Sequence, residues 1–175
     1  MTKFPGMHPR LIELREEHGQ PSERSANKVK DQLSEQVIEF IQASPFAVLS
    51  SSDKEGNCDA SPRGGLPGFV KIVNEKQLFI PDIKGNRLFH SFSNFHSNPK
   101  AGMVFFIPGS NMTVRVNGRV ELIEQEDIEQ KVEAYYDDDN SIIIQGFYLH
   151  VDEAYTHCPR ALQFSDLWNP EKMQK

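Results

Sequence analysis

The stretch from Met112 to Leu122 alternates between apolar and polar residues and constrains the fold more than any other feature of the chain. The apolar members are Met112, Val114, Val116, Val120 and Leu122. The polar members are Thr113, Arg115, Asn117, Arg119 and Glu121. Because successive side chains of a β-strand point to opposite faces, this stretch predicts a long strand with one face on a core. The other face then meets solvent, a ligand or a partner.

Shorter runs between turn residues predict further strands. They cover residues 46–51, 60–63, 69–73, 77–80, 103–107 and 142–151. The segment 53–57 predicts the turn of a hairpin. Six or seven turn-linked strands in one domain indicate a mainly β fold, namely a closed or partly closed antiparallel barrel.

Helices are predicted at both ends of the chain and in insertions. Residues 1–43 predict a polar helical extension, and residues 44–175 the barrel domain, within one globular unit. In the extension, one helix covers 10–18 and stops at Gly19, and another runs from Ser34 until just before Pro45. Further helical segments are predicted over 87–97, 126–136 and 157–168.

Composition excludes several classes of function. The net charge of -6 argues against a nucleic-acid binder, which needs a basic surface to displace counterions from phosphates. The sequence contains no run of 18 apolar residues and therefore predicts no membrane-spanning helix. Cys58 and Cys158 show neither a disulfide framework nor metal-ligand spacing, so we expect a cytoplasmic protein with reduced thiols and without a metal site. The alternative is one disulfide.

The segment from Ile80 to Arg87 is the first candidate site. A strand ends there, Gly85 makes a turn, and Asn86 would cap a following helix. Free backbone N–H groups at a helix start attract anions, and Lys84 and Arg87 would add side-chain donors. The alternative is an ordinary turn with solvated basic residues.

The segment from Ala60 to Phe69 is the second candidate. Its glycines would let a flat ligand approach the backbone closely, and Arg63 at the strand end is placed to meet a phosphate. The alternative is a broad surface loop with a bulge.

Two further candidates lie later in the chain. Arg115 and Asn117 stand side by side on the polar face of the long strand, where they suit hydrogen bonds to a heterocycle; the alternative is a solvated sheet face. Cys158 at a helix start would be reactive if its thiol pKa were lowered, although such a cysteine more often only packs. Trp168 suits either the edge of a flavin or a core or interface position.

These motifs, taken in order, resemble the pyridoxamine 5'-phosphate oxidase-related FMN-binding proteins, and within them a subgroup of probable FMN-dependent enzymes. The matching stretches are Phe46 to Ser50, Ala60 to Gly64, Ile80 to Arg87, Asn98-Pro99, Arg115 to Arg119, and His157 to Leu162 with Trp168. The resemblance runs from about Glu23 to Trp168. It implies an FMN-binding split β-barrel that forms a homodimer, with one FMN per subunit in clefts at the dimer interface.

By matched position, the resemblance also implies the residues that hold FMN. They are Ser61, Pro62, Arg63, Gly64, Asp82, Lys84, Gly85, Asn86, Arg87, Arg115, Asn117, Cys158 and Trp168. Arg63 and the turn 84–87 are implied to bind the phosphate or ribityl chain. Arg115 and Asn117 are implied to contact the isoalloxazine, and residues 158–168 to complete the pocket from the same or the other subunit.

The implied activity is that of an FMN-dependent oxidoreductase acting on a small molecule that the sequence does not name. No residue stands out as an acid or base, which suits direct hydride transfer to the flavin. The chain lacks the arginine-rich C-terminal segment of true pyridoxamine phosphate oxidases, so vitamin B6 is not the expected substrate. The alternatives are a non-catalytic flavin- or haem-binding protein, since relatives on this fold bind haem or deazaflavin, and a structural protein that has lost the cofactor.

Overall fold

The computed structural model describes residues 8–83, 85, 87–123, 143–157 and 159–172. The helix predicted over 126–136 therefore lies outside the described residues. The helices are α1 (Pro9–His18), α2 (Glu23–Asn27), α3 (Glu35–Ala43), α4 (His90–Ser97) and α5 (Arg160–Ser165). The strands are β1 (Phe46–Ser52), β2 (Cys58–Gly64), β3 (Lys71–Asn74), β4 (Gln77–Ile83), β5 (Lys100–Phe106), β6 (Thr113–Leu122) and β7 (Ile143–His157).

The described strands form one antiparallel sheet, which confirms the mainly β fold. Its order is β2-β1-β5-β6-β7-β4-β3. The predicted hairpin turn joins β1 to β2, where Asp53 accepts hydrogen bonds from the backbone of Glu55 and Asn57. Side-chain and backbone hydrogen bonds from Asn57 lower the pKa of Asp53.

The sheet curls so that its two ends approach each other. β2 lies at one end of the strand order and β4 near the other, yet Arg63 of β2 lies 3.9 Å from Asp82 of β4. α4 packs against β1 and β2 and so fills the opening between the two ends. The result is a barrel that is split along one side.

The core lies inside this curled sheet, and the alternation of the long strand is confirmed in its middle. At its ends the prediction is wrong, because Thr113 is buried whereas Met112 and Leu122 are exposed. Val114, Val116 and Val120 of β6 are buried, whereas Arg119 and Glu121 are exposed. α3 closes the core from the N-terminal side. The Ser34 hydroxyl accepts a hydrogen bond from the amide of Val37 and so caps this helix at the predicted position. The helix buries Val37 and Ile41.

The predicted helix over 87–97 begins later than expected, so the proposed Asn86 cap is wrong. α4 starts at His90, with Phe89 at the N-cap position and no side-chain cap. Arg87 and Phe89 adopt left-handed backbone conformations, with φ of 64° and 51°, which a right-handed helix cannot contain. Leu88, inside the predicted helix, precedes α4 and is exposed.

The last strand is longer than its sequence pattern suggests. β7 was predicted to end at Val151 but continues to His157. It does so because it pairs with the whole of β6, from Thr113 opposite His157 to Leu122 opposite Phe147. A register shift between Asn117 and Gly118 interrupts this pairing and the simple alternation of β7. Within the described residues, no helix has the length and apolar character needed to cross a membrane.

Candidate functional site

A cavity of about 390 Å³ lies where the two ends of the sheet meet α4. It is bounded by the face of β2, the end of β4 and the start of α4. It brings together six residues predicted from sequence: Ser61, Pro62, Arg63, Asp82, Gly85 and Arg87. Its size falls within the range of small-molecule sites.

Arg63 is the central polar group of this cavity. Its side chain is only 18% exposed. Nη1 lies 3.9 Å from Asp82 Oδ1, and Nη2 donates to the Ser91 hydroxyl at 3.4 Å. Its buried Nε has no hydrogen-bond partner among the described residues. Because an unpaired buried donor is costly, the arginine is poised to donate to a further acceptor.

Asp82 gives the cavity an unusual acidic component. Burial raises the pKa of its carboxyl group, and the positive charge of Arg63 offsets that rise only in part. The 3.9 Å separation is too long for a hydrogen bond. The two charges therefore attract each other without a close, well-aligned contact.

Ser91 connects Arg63 to a second carboxylate. It is buried near the start of α4, accepts a hydrogen bond from Arg63, and donates one to Asp59 at 3.2 Å. The polar network thus spans β2 and α4. The start of α4 adds the positive end of a helix dipole at the cavity.

The cavity is also lined by residues that no sequence motif predicted, among them Asp59, Phe89, His90 and Ser91. Asp59 was detectable, because Asp59, Ser61 and Arg63 follow the period of two that places them on one face of β2. The position of Ser91 depends on where α4 begins, and no local signal marks that point.

The loop between Arg87 and Phe89 carries two left-handed residues that are not glycine. Such conformations cost about 1 kcal/mol or more each and tend to occur at functional sites. Arg87, Leu88 and Phe89 all line the cavity and are exposed. This loop therefore forms a strained, partly apolar rim.

The glycines at the end of β2 and after it lie against neighbouring backbone, and their role in baring the backbone to a ligand stays a prediction. The amides of Gly65 and Gly68 donate to the carbonyls of Pro45 and Ser44. A Cβ on Gly68 would lie 2.9 Å from the carbonyl oxygen of Gln42. Gly64 pairs with Phe46 in the sheet and, like Gly65 and Gly68, does not line the cavity.

Arg115, Asn117 and Trp168 lie away from this cavity in the single chain. Arg115 donates to the Tyr155 hydroxyl at 3.4 Å and Asn117 to Glu153 at 3.2 Å, across the β6–β7 pair. Asn117 lines a second, wider cleft of about 1510 Å³. The Trp168 indole donates to the Ser110 carbonyl at 2.7 Å, which anchors the C-terminal segment on the β5–β6 turn. Their assignment to a flavin stays a prediction.

Lys84, Asn86 and Cys158 were also predicted to be site residues. They lie outside the described residues. Gly85 and Arg87, which flank Asn86 in the sequence, line the cavity. The described residues contain no cluster of three or more side chains with the chemistry to hold a metal ion.

Solved structures share the fold at low sequence identity. A Group A Streptococcus protein, HupZ, aligns with a TM-score of 0.55 and 13% identity over 71% of this chain and 93% of its own. A protein from Lactobacillus delbrueckii, provisionally named a pyridoxamine 5'-phosphate oxidase, aligns with a TM-score of 0.55 and 19% identity. The alignment covers 72% of this chain and 95% of that protein. An FMN-binding protein from Syntrophomonas wolfei aligns with a TM-score of 0.50 and 10% identity, over 70% of this chain and 87% of its own. Seven antiparallel strands in this arrangement define a split β-barrel, as predicted.

The sequence identifies the family within that fold class. The pyridoxamine 5'-phosphate oxidase family profile matches residues 33–158, which is most of the chain. The protein therefore belongs to the pyridoxamine 5'-phosphate oxidase family. No curated protein matches the chain significantly in sequence.

Proposed function

We propose that the chain binds FMN, with the phosphate group in the cavity between β2, β4 and α4. The observation that carries this proposal is the buried Nε of Arg63, which has no acceptor among the described residues. A phosphate offers several strong acceptor oxygens, and arginine binds two of them at once. Support for a flavin in particular comes from the family and from the structural similarity to an FMN-binding protein.

The residues around the cavity suit a phosphorylated ligand with a flat ring. Arg63 and Arg87 would hold the phosphate together with the positive end of α4. The face of β2, with Ser61 and Pro62, would border the ribityl chain. Phe89 and Leu88 on the rim offer apolar surface to a ring system.

We further propose that the protein is a homodimer that pairs through the outer face of β1 and β5. Phe46 and Phe106 are paired in register there, with ring centroids 6.0 Å apart. Val48 and Val104 form the next pair. All four are outward-facing and incompletely buried, and a contiguous apolar patch is a common mark of an interface. Arg115, the neighbour of Val104 on β6, would then lie at the interface, where the resemblance places the isoalloxazine.

The activity that fits best is an FMN-dependent oxidoreductase with a small-molecule substrate. Bound FMN supplies two-electron redox chemistry, while the protein supplies orientation and electrostatics. In the described cavity, Arg63 and Arg87 would bind the phosphate of FMN, and Ser91 would orient Arg63 through their hydrogen bond. A guanidinium such as Arg115 near the pyrimidine edge of the ring would stabilise negative charge on it.

The test is a pair of spectroscopic measurements on the purified chain. Titration with FMN should give a saturable, red-shifted or quenched flavin signal, and riboflavin, which lacks the phosphate, should bind much more weakly. The loaded protein, kept free of oxygen, should then bleach with NADH or NADPH. Failure to bind FMN contradicts the cofactor assignment. Tight binding of haem in its place would favour the haem-binding alternative, and bound FMN that no nicotinamide donor reduces would favour a non-catalytic flavin binder.

A further inference from the structure

The cavity contains as many carboxyl groups as arginines. Among the described residues, its charged or titratable groups are Asp59 and Arg63 on β2, Asp82 on β4, Arg87 in the loop and His90 on α4. Among these described groups, the two arginines match the two carboxyl groups in number. A phosphate monoester brings a charge of about −1.5 to −2, so its binding at Arg63 places further negative charge close to the Asp82 carboxyl group, which lies 3.9 Å from that arginine.

The two carboxyl groups differ in their surroundings. Asp59 accepts a hydrogen bond from the Ser91 hydroxyl. The Asp82 side chain is 17% exposed and lies 3.9 Å from Arg63, and burial raises the pKa of its carboxyl group. Asp82 is therefore the group next to the proposed phosphate position that is placed to accept a proton.

The contact between Asp82 and Arg63 is also easy to exchange. The 3.9 Å separation of Nη1 and Oδ1 lacks the short distance of a charge-assisted hydrogen bond. The Arg63 Nε has no partner among the described residues, so a phosphate that reaches this donor breaks no hydrogen bond between it and a described residue. Arg63 meanwhile keeps its hydrogen bond to Ser91, which holds the guanidinium in place during the exchange.

We propose that Asp82 is a proton-linked counter-ion, which neutralises Arg63 in the flavin-free cavity and takes up one proton from solvent when the FMN phosphate binds beside Arg63. Only an O–H bond to Asp82 is formed, and the buffer supplies the proton. The proposal rests on the proposed function, because it requires the phosphate to bind at Arg63. It makes Asp82 a determinant of how FMN affinity changes with pH.

The sign of the effect follows from linkage. Below the pKa of Asp82 in the free protein, the carboxyl group is already protonated and Asp82→Asn changes little. Above that pKa the wild type must either take up a proton or bind next to a carboxylate, whereas the variant must do neither. The affinity of Asp82→Asn relative to the wild type therefore rises with pH, by about tenfold for each unit by which phosphate raises the pKa of Asp82.

The experiment measures FMN binding to the full chain by flavin fluorescence and by calorimetry in buffers of different ionisation enthalpy. We compare wild type, Asp82→Asn, the isosteric control Asp59→Asn, and His90→Asn. The measurements are made at about pH 6, near the second pKa of a phosphate monoester, and at a higher pH at which free FMN is a dianion. We expect the wild type to take up more protons than Asp82→Asn at both pH values, and the loss of proton uptake among the three variants to be largest in Asp82→Asn.

Riboflavin provides a ligand control, since without a phosphate its relative affinity for the wild type and Asp82→Asn should not vary with pH. A relative FMN affinity that is constant between about pH 5.5 and 8, across the phosphate pKa, would overturn the proposal. Loss of proton uptake in Asp59→Asn or His90→Asn instead of Asp82→Asn would overturn it as well. If FMN binds with no such difference, only this inference fails. If the wild type binds no FMN at any pH, the proposed function fails with it.

Discussion

Replacing Arg63 by alanine should weaken FMN binding by roughly a hundredfold. The guanidinium of this cavity-lining residue has two donors without a close acceptor among the described residues, the buried Nε and the Nη1 group that lies 3.9 Å from Asp82. Two charge-assisted hydrogen bonds at about 1.5 kcal/mol each contribute about 3 kcal/mol, which corresponds to roughly a hundredfold in Kd. Arg63→Lys should fall between wild type and Arg63→Ala, because it keeps the charge but loses the planar fork.

The assay is quenching of flavin fluorescence on titration of FMN, with riboflavin titrated in parallel. Arg119→Ala is the matched control, since Arg119 is an exposed arginine on β6 outside the cavity. The variants must first show wild-type secondary structure, because Arg63→Ala leaves Asp82 buried beside an empty position. Arg63→Lys covers the case in which the alanine variant does not fold.

The riboflavin titration decides between two explanations of a weakened FMN complex. If Arg63 binds the phosphate, Arg63→Ala should lower FMN affinity and leave riboflavin affinity nearly unchanged. An equal loss for both ligands would mean that Arg63 only supports the architecture. Unchanged FMN affinity in Arg63→Ala would refute the phosphate site itself.

Three other expectations follow from packing and burial. Without flavin, Asp82→Asn should melt at a higher temperature than the wild type at neutral pH, and this gain should shrink as the pH falls toward the ordinary pKa of 3.8. The reason is that burial raises the pKa of Asp82 in the folded state, so ionising this carboxyl group costs stability as the pH rises above its ordinary pKa. A gain in melting temperature that grows as the pH falls would contradict this reasoning. Val104→Asp should convert a dimer to a monomer on size-exclusion chromatography, whereas Val73→Asp on the exposed edge strand should not. Gly118→Ala should destabilise the fold by about 2 kcal/mol or more in chemical denaturation, because its Cβ would collide with the carbonyl oxygen of His150; wild-type stability would show that the β6–β7 pair can shift.

The parts of the fold that sequence predicted well are those in which local pattern and burial agree. The alternation of β6 survives in the structure because one face meets the core along most of its length. α3 is capped by Ser34 and ends at Ala43, shortly before Pro45, because both signals are local backbone chemistry. α1 likewise stops at Gly19, whose φ is 85°.

The parts that sequence missed depend on tertiary contacts. The start of α4 is set by left-handed backbone at Arg87 and Phe89, and neither residue type announces that conformation. The extension of β7 to His157 is imposed by pairing with β6.

The candidate site shows the same division. Arg63, Asp82 and Arg87 were each suggested by short motifs, but the approach of β2 to β4 that unites them requires the sheet to curl. Ser91 becomes part of the site only through that approach. The assignment of Arg115, Asn117 and Trp168 to the flavin depends on the dimer and stays a prediction, as do the cytoplasmic location and the boundary between an N-terminal extension and the barrel.

The most direct test of the account is a crystal structure of the chain grown with FMN. The account predicts a phosphate group within hydrogen-bonding distance of Arg63 Nε, between β2 and the start of α4. Density for FMN elsewhere on the molecule, with this cavity filled only by water, would contradict it.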